Sequence, residues 1–458
     1  MPDSSPNSTT DRPIRRVSSW KVFGIFCLMS FLILFGIVFI PWDAKPPVAP
    51  DLELQDPPLL PADNAFTYLE TATTLVVIGF ADPDGRTKYL DLTSGLDIPP
   101  GRFDSAFVKE ALAANAAALA ELEKAFACQR YASPRMKSPC PLREFLFCDD
   151  NKLTHPSTIK LSSKRTPWLD KYRALVRLQI LKSESLQKEG DYAGAVKAGL
   201  SVLQLGRIVK DGAGSELEWK AGEIYLCMAW SHLAQIVTDA KTPEAEWQKI
   251  RMAFERRDDQ AMRDSLKKSL LREYGQVKEI LPQNRPSEIS AAIQSGKPSW
   301  HFWIPYYYKP NMTLCRLTEN YREMIAVIDD HIKEKDGLAD TKPRPRQKRV
   351  IGLGRSMLPL PNAIGNLVIS WSGYMAGTGL LIRVKLMSDD YQILANVLQV
   401  ENALRNYERK YGQRPEGLAA LVPEFLKAVP INPREGRPFY YSEKSKQILL
   451  DSFRFFLF

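Results

Sequence analysis

Between Val22 and Ile40 the chain reads VFGIFCLMSFLILFGIVFI, 19 residues without a charge. That is about the length a helix needs to cross the hydrocarbon of a bilayer. Trp20 and Trp42 flank the run where interfacial aromatics are favoured. Arg12, Arg15, Arg16 and Lys21 precede it, which keeps the short N-terminus in the cytoplasm. The run is longer than the core of a signal peptide, and no A-x-A cleavage site follows it. The pattern therefore predicts a cytoplasmic tail at residues 1–21, an uncleaved transmembrane anchor at 22–40, and everything after Ile40 outside the cytoplasm. Seven prolines between Pro41 and Pro61 resist helix and sheet alike. Residues 41–62 are expected to be a semi-extended linker that holds the folded part away from the bilayer.

From residue 63 to 340 helical periodicity dominates. Ser105–Ala127 contains ten alanines and reads as one helix, with Asp104 or Ser105 as its N-cap. Leu75–Leu92 reads as a short hairpin around Asp82–Gly85; Asp82, Asp84 and Asp91 lack calcium-loop spacing and fit a plain turn. Residues 167–240 read as three helices. Within them EGDYAGAV, Glu189–Val196, resembles the turn and second-helix start of a tetratricopeptide hairpin through Gly190, Asp191, Tyr192 and Ala195. The pattern does not recur 34 residues on, so one hairpin is expected and no repeat array. Tyr192, Ala195, Val196, Gly199, Leu203 and Gly206 share a face whose small members admit a close helix partner. Leu217, Ala221, Ile224 and Met228 mark the next apolar face, and His232 continues it as a packed core histidine. Thr242-Pro243-Glu244 reads as a helix start with Thr242 as cap, and ERRDDQ at 255–260 as a break before a helix that Pro282 ends. A further helix closes near Lys335.

Charge and candidate chemistry add less. The 458 residues are 45% hydrophobic and 25% charged, an ordinary globular composition, and the net charge of +9 suits an anionic partner without naming one. Outside the anchor, Cys128, Cys140, Cys148, Cys227 and Cys315 are odd in number, so at least one thiol stays free or pairs with another chain; no spacing among them matches a zinc site. Four histidines fall in separate elements, and neither a G-x-S-x-G, an H-E-x-x-H, a Walker loop nor a dinucleotide fingerprint occurs. Ser185–Lys188 and Ser265–Lys268 match S-x-x-K, which is common by chance. No catalytic residue, cofactor or metal is expected. Two stretches are candidate binding surfaces. SWHFWIPYYYKPN brings Trp300, Trp303, Tyr306 and Tyr307 together, for core packing or for contact with glycan or bilayer. The linker before residue 350 carries Arg344, Arg346, Lys348 and Arg349, suited to solvent or to anionic lipid. Residues 341–388 thus combine a basic linker with an uncharged segment, 356–382, whose glycines and prolines read as a buried segment and not a second span.

The last part, 389–458, begins with an amphipathic helix over Asp389–Gly412. There follow Gly417-Leu418, Leu421-Val422-Pro423, Pro430, Asn432-Pro433, Gly436, Pro438 and Tyr441, then a hairpin pair, FYYSEK and KQILLDS. Together with Tyr407 and Gly412–Pro415 these motifs resemble the C-terminal half of type II secretion major pseudopilins. The chain as a whole is similar to large, single-pass, membrane-anchored bacterial proteins of unassigned function that share this tail. It departs from pseudopilins in having no prepilin-peptidase junction before the apolar run, and in having Asn432 where they carry aspartate. The tail is therefore expected to be a compact cap and not a filament subunit. Tyr407, Leu418, Leu421, Val422, Phe425, Tyr440 and Leu449 are its expected core.

The sequence thus predicts a mainly α protein: an N-terminal transmembrane helix, an extracytoplasmic domain of helical hairpins, and a small α+β C-terminal cap with a β-hairpin. It is expected at the cell inner membrane as a single-pass interaction or scaffold protein of the bacterial envelope. Its expected partners are the membrane, envelope proteins, and anionic lipid or glycan, with no nucleic acid. An envelope hydrolase, or a glycan- or lipid-binding envelope protein, are the alternatives.

Overall fold

The structure, a computed structural model, describes residues 19–39, 43–54, 56, 59–77, 79–81, 87–89, 105–133, 167–239, 241–255, 259–281, 309–335, 391–433, 435–442 and 447–448. Eleven helices are described. They are α1 Ser19–Phe39, α2 Ala65–Leu75, α3 Ser105–Ala114, α4 Ala116–Ala127, α5 Pro167–Lys188, α6 Tyr192–Gly212, α7 Glu216–Thr238, α8 Glu244–Glu255, α9 Asp259–Ile280, α10 Pro310–Lys335 and α11 over 391–411. Strands β1 Gly79–Ala81 and β2 Thr87–Tyr89 pair antiparallel in the expected place. Short antiparallel pairs close the tail: β3 Ile431–Asn432 with β4 Arg437–Pro438, and β5 Tyr441–Ser442 with β6 Gln447–Ile448. Among the described residues no helix is long and apolar enough to cross a membrane. In α1 the side chains described are those of Trp20 and of residues 23–33.

Helices α5, α6 and α7 form the centre. At Gly190 φ is +86°, a left-handed turn that suits glycine, and the Asp191 carboxylate then accepts the Gly194 N–H at 2.8 Å, capping α6. Ser215 caps α7 in the same way through the Glu218 N–H. The small face of α6 meets α7 as expected, Gly199 lying against Leu233 and Gly206 against Gly222 and Leu226. The one-sided reading of α7 is corrected: Trp219, Tyr225, Leu226, Ala229, Trp230, Leu233, Ile236 and Val237 are also buried, because helices pack round it from several directions. Its ring partners make it a core element and not a surface helix.

Ser105–Ala127 is not one helix. Asn115 interrupts it, fully buried, and its carboxamide pairs with another stretch of backbone: Oδ1 accepts the Val77 N–H at 2.8 Å and Nδ2 donates to the Val77 carbonyl at 2.9 Å. Asn64 repeats the device, accepting the Ala132 N–H and donating to the Ala132 carbonyl while capping α2 through the Phe66 N–H. A buried backbone polar group needs a partner, and where no helix or sheet supplies one an asparagine side chain can. Thr242 is corrected too. Its hydroxyl donates back to the Ile236 carbonyl at the end of α7, and Pro243 supplies the first carbonyl of α8. Helix α8 ends at Glu255 and α9 begins at Asp259; residues 256–258 of the break expected at 255–260 lie outside the described residues.

The tail has its own core of Ile393, Val397, Val400, Ala403, Leu404, Leu418, Leu421, Leu426, Phe439 and Ile448, with Tyr407, Val422 and Phe425 packed against it. Helix α11 also sends Tyr391, Leu394 and Leu398 into the main core, so it belongs to both. Tyr440 is corrected: it is 70% exposed, and Phe439 points inward instead. Side chains alternate across a strand, so a one-residue slip in the expected hairpin exchanges the faces; Leu449 lies outside the described residues. Gly412, at φ +77°, ends α11 as the sequence predicts.

Candidate functional site

Trp300, Trp303, Tyr306 and Tyr307, and likewise Arg344, Arg346, Lys348 and Arg349, lie outside the described residues, as does 356–382. The described residue nearest the aromatic stretch is Lys309, buried just before α10. There the chain meets a feature that hydrophobic patterning did not reveal. The Asp43 carboxylate accepts the N–H groups of Asn311 and Met312, at 2.8 and 3.0 Å, satisfying the open first turn of a 26-residue helix.

Asp43 belongs to the proline-rich segment read from the sequence as a semi-extended linker, and its described residues make contacts that this reading did not foresee. The segment is extended but docked. The Cys315 thiol donates to the Lys45 carbonyl, and Ala49 and Leu52 are buried in the main core. Asp51 holds the Arg322 guanidinium through two bonds of 2.7 Å. Glu53 pairs with Lys278, and Asp56 takes two bonds from Arg272 at 2.6 and 2.9 Å. The facing Arg322 and Arg272 draw the Asp51 and Asp56 carboxyls below the usual range. These pairs are largely exposed and individually weak, so the apolar pegs Ala49 and Leu52 hold the segment and the charges set its register.

Buried polar groups elsewhere are committed to packing. Ser183, on α5, donates its hydroxyl to the Ala195 carbonyl at 2.6 Å and meets His232 Nε2 at 2.5 Å. With that hydroxyl proton spent, the imidazole must carry hydrogen on Nε2 and donate. Nδ1 then finds no hydrogen-bond partner among the described residues. A nucleophilic serine needs the reverse, a histidine that accepts its proton and a third group that orients the ring. Burial depresses the His232 pKa to about 4, so the ring is neutral. The pair rivets α5, α6 and α7 together, in line with the core role read from the sequence. Ser265, of the second S-x-x-K, is likewise occupied, accepting the Trp219 indole N–H at 3.0 Å and donating to the Met262 carbonyl.

Glu218 lies under the turn from α6 to α7, where its carboxylate takes hydrogen bonds from Tyr131, Ser133 and the Gly214 amide. Burial, then the charge of Glu218, pushes the Tyr131 phenol well above its ordinary pKa. In the tail, Glu401 and Arg414 meet at 2.6 Å with side chains 0% and 4% exposed, and Arg405 approaches the same oxygen at 3.2 Å. A glutamate inside the stripe of Val397, Leu404 and their neighbours was the clue that sequence reading passed over. Arg405 also bonds the Thr242 carbonyl and lies over the Trp247 ring, tying the tail to α8.

Among the described residues no cluster of His, Cys, Asp or Glu has the geometry of a metal site. Cys128 and Cys315 carry free thiols whose pKa burial raises, the opposite of an activated cysteine. Asn311-Met312-Thr313, a glycosylation sequon, forms the first turn of α10 with Thr313 fully buried, bonding the Lys309 carbonyl. No protein-family model matches the chain, and no curated protein or solved structure matches it significantly.

Proposed function

We propose that the chain is a single-pass, membrane-anchored interaction protein of the bacterial envelope, with its helical body and cap outside the cytoplasm and proteins as its partners. The observation that carries the anchor is α1 itself. Phe23, Ile25, Phe26, Leu28, Met29, Phe31, Leu32 and Ile33 are each 52–68% exposed. In helical projection they cover every side, so no single face can be hidden against the body. Hydrocarbon is the solvent that such a helix suits. The basic flank of Arg12, Arg15, Arg16 and Lys21 supports the orientation.

An interaction role suits the body better than catalysis. Its described serine, histidine and carboxylate clusters hold helices to one another. Alkaline extraction of membranes, combined with reporters active only outside the cytoplasm fused after residue 345 and at the C-terminus, tests the topology. Retention in the membrane and activity of both reporters are expected. Release by alkali removes the anchor; opposite reporter signals mean that 356–382 crosses the bilayer. Crosslinking followed by purification of the full chain tests the role. Recovery of a defined protein partner supports it, whereas turnover of peptidoglycan or ester by the purified chain places it among the hydrolases.

A further inference from the structure

Four Cα–Cα steps lead from Phe39, where α1 is last described, to Asp43, whose carboxylate closes the first turn of α10. An extended chain covers at most about 3.6 Å per residue, so Asp43 lies within about 14 Å of the end of α1. The headgroup layer beyond the hydrocarbon is itself about 5–8 Å thick. Resting on the anchor reading, this bound places the first turn of α10 in that layer or just beyond it.

The order of the later contacts sets the polarity. Asp43 meets Asn311 and Met312, Lys45 meets Cys315, and Asp51 meets Arg322, so the segment climbs α10 from its N-terminus. It then crosses to α9 through Glu53 with Lys278 and Asp56 with Arg272. We propose that residues 43–56 are a docked tether that fixes the helical body against its own membrane. The N-terminal turn of α10 then lies beside phospholipid headgroups, and the rest of α10 leads away from them. Lys45, whose carbonyl meets Cys315, is exposed, and Val48, three residues further along the tether, is 89% exposed. A cation on a long stem beside an apolar side chain suits the headgroup boundary. Covalent reach and docking carry the placement, so it holds on an uncharged bilayer.

The test uses the full chain reconstituted in phosphatidylcholine vesicles with an energy-transfer acceptor on a small fraction of headgroups. A fluorophore is introduced as an unnatural amino acid at the exposed Glu319. A flexible Gly/Ser insert of twenty residues, with a root-mean-square span of about 25 Å, is placed either between Pro41 and Trp42 or between Pro57 and Pro58. The first insert lengthens the chain before the tether and is expected to lower transfer. The second follows the docked segment and is expected to leave transfer at the level of the native chain. Equal loss with both inserts would show a free spacer and overturn the tether, as would unchanged transfer with the first insert. An alkaline wash reads the anchor separately: release of the native chain from the vesicles defeats the anchor and the placement with it. Slow hydrogen exchange at the Asn311 and Met312 amides still reports whether the segment is docked, so the two failures are distinguishable.

Discussion

Where α6 crosses α7, Gly222 lies so close to Gly206 that a Cβ on Gly222 would sit 2.8 Å from the Gly206 carbonyl oxygen. The same Cβ would stand 2.8 Å from the Lys210 amide nitrogen, so backbone and not a flexible side chain blocks it. Gly222→Ala is therefore expected to destabilise the protein by about 1–3 kcal/mol, despite alanine's better helix propensity. Gly275, in α9, has open space within 4 Å of the point where a methyl group would stand, and Gly275→Ala should stabilise by up to about 1 kcal/mol. Urea midpoints of the two variants should move in opposite directions.

His232 and Glu184 give stability two pH dependences of opposite sign. His232 has its pKa lowered by burial to about 4, so between there and about 6.5 only the unfolded chain takes the proton, and stability falls as pH drops through that window. Glu184 has its pKa raised by burial to about 7, so the folded chain holds a proton that the unfolded chain has lost above about 4.5. Its contribution is largest at low pH and is lost as pH rises towards 7. The two slopes oppose each other from about pH 4.5 to 6.5. Glu184→Gln should expose the acid sensitivity due to His232, on the order of 3 kcal/mol over its full window. His232→Gln should leave stability declining as pH rises. Thermal melts across pH 4–8 separate them.

Asn115→Ala leaves both polar atoms of Val77 without the carboxamide that pairs with them. A buried group stranded in this way costs about 1–3 kcal/mol, more than the helix propensity gained by alanine. Asn115→Asp keeps the acceptor for the Val77 N–H but sets a carboxylate against the Val77 and Ala111 carbonyls, and should be no better. Denaturant unfolding of the three proteins checks the order.

Leu421 is fully buried in the tail core. Leu421→Ala should cost about 2–5 kcal/mol locally and open protease sites after Gly412 before the helical body is cut. The Asn432 carbonyl already accepts the Glu435 and Gly436 amides, closing the β3–β4 turn through backbone. Chelator should therefore leave the cleavage pattern of the native tail unchanged; chelator-sensitive cutting confined to the tail would point to a bound cation.

Arg414 and Arg409 should differ sharply. Arg414→Ala removes a guanidinium from the closed site of Glu401 and should destabilise the tail by about 3–5 kcal/mol, because the buried carboxylate loses its nearest counter-charge. Arg409 reaches Glu244 only across the surface, at 3.6 Å with its side chain 62% exposed. Arg409→Ala should shift the unfolding midpoint little, and less still in high salt.

Periodicity was enough to place helices whose signals are local. The boundaries of α6 follow from Gly190 and Asp191, that of α11 from Gly412, and the close approach of α6 to α7 from Gly199 and Gly206, because turn strain, capping and small side chains act within a few residues. The all-round apolar α1 is legible for the same reason. What the tertiary structure decided depends on partners far away in the chain. Asn115 looks like a helix residue until Val77, 38 positions earlier, presents two unpaired backbone atoms. Asp43 looks like part of a solvated linker until α10, 268 positions later, presents its open first turn. Glu401 looks like a flaw in an apolar stripe until Arg414 folds back over it. In each case the local pattern records only a polar group. Its use depends on which unsatisfied donor, acceptor or charge the fold brings beside it, since a buried polar group is stable only with that partner in place.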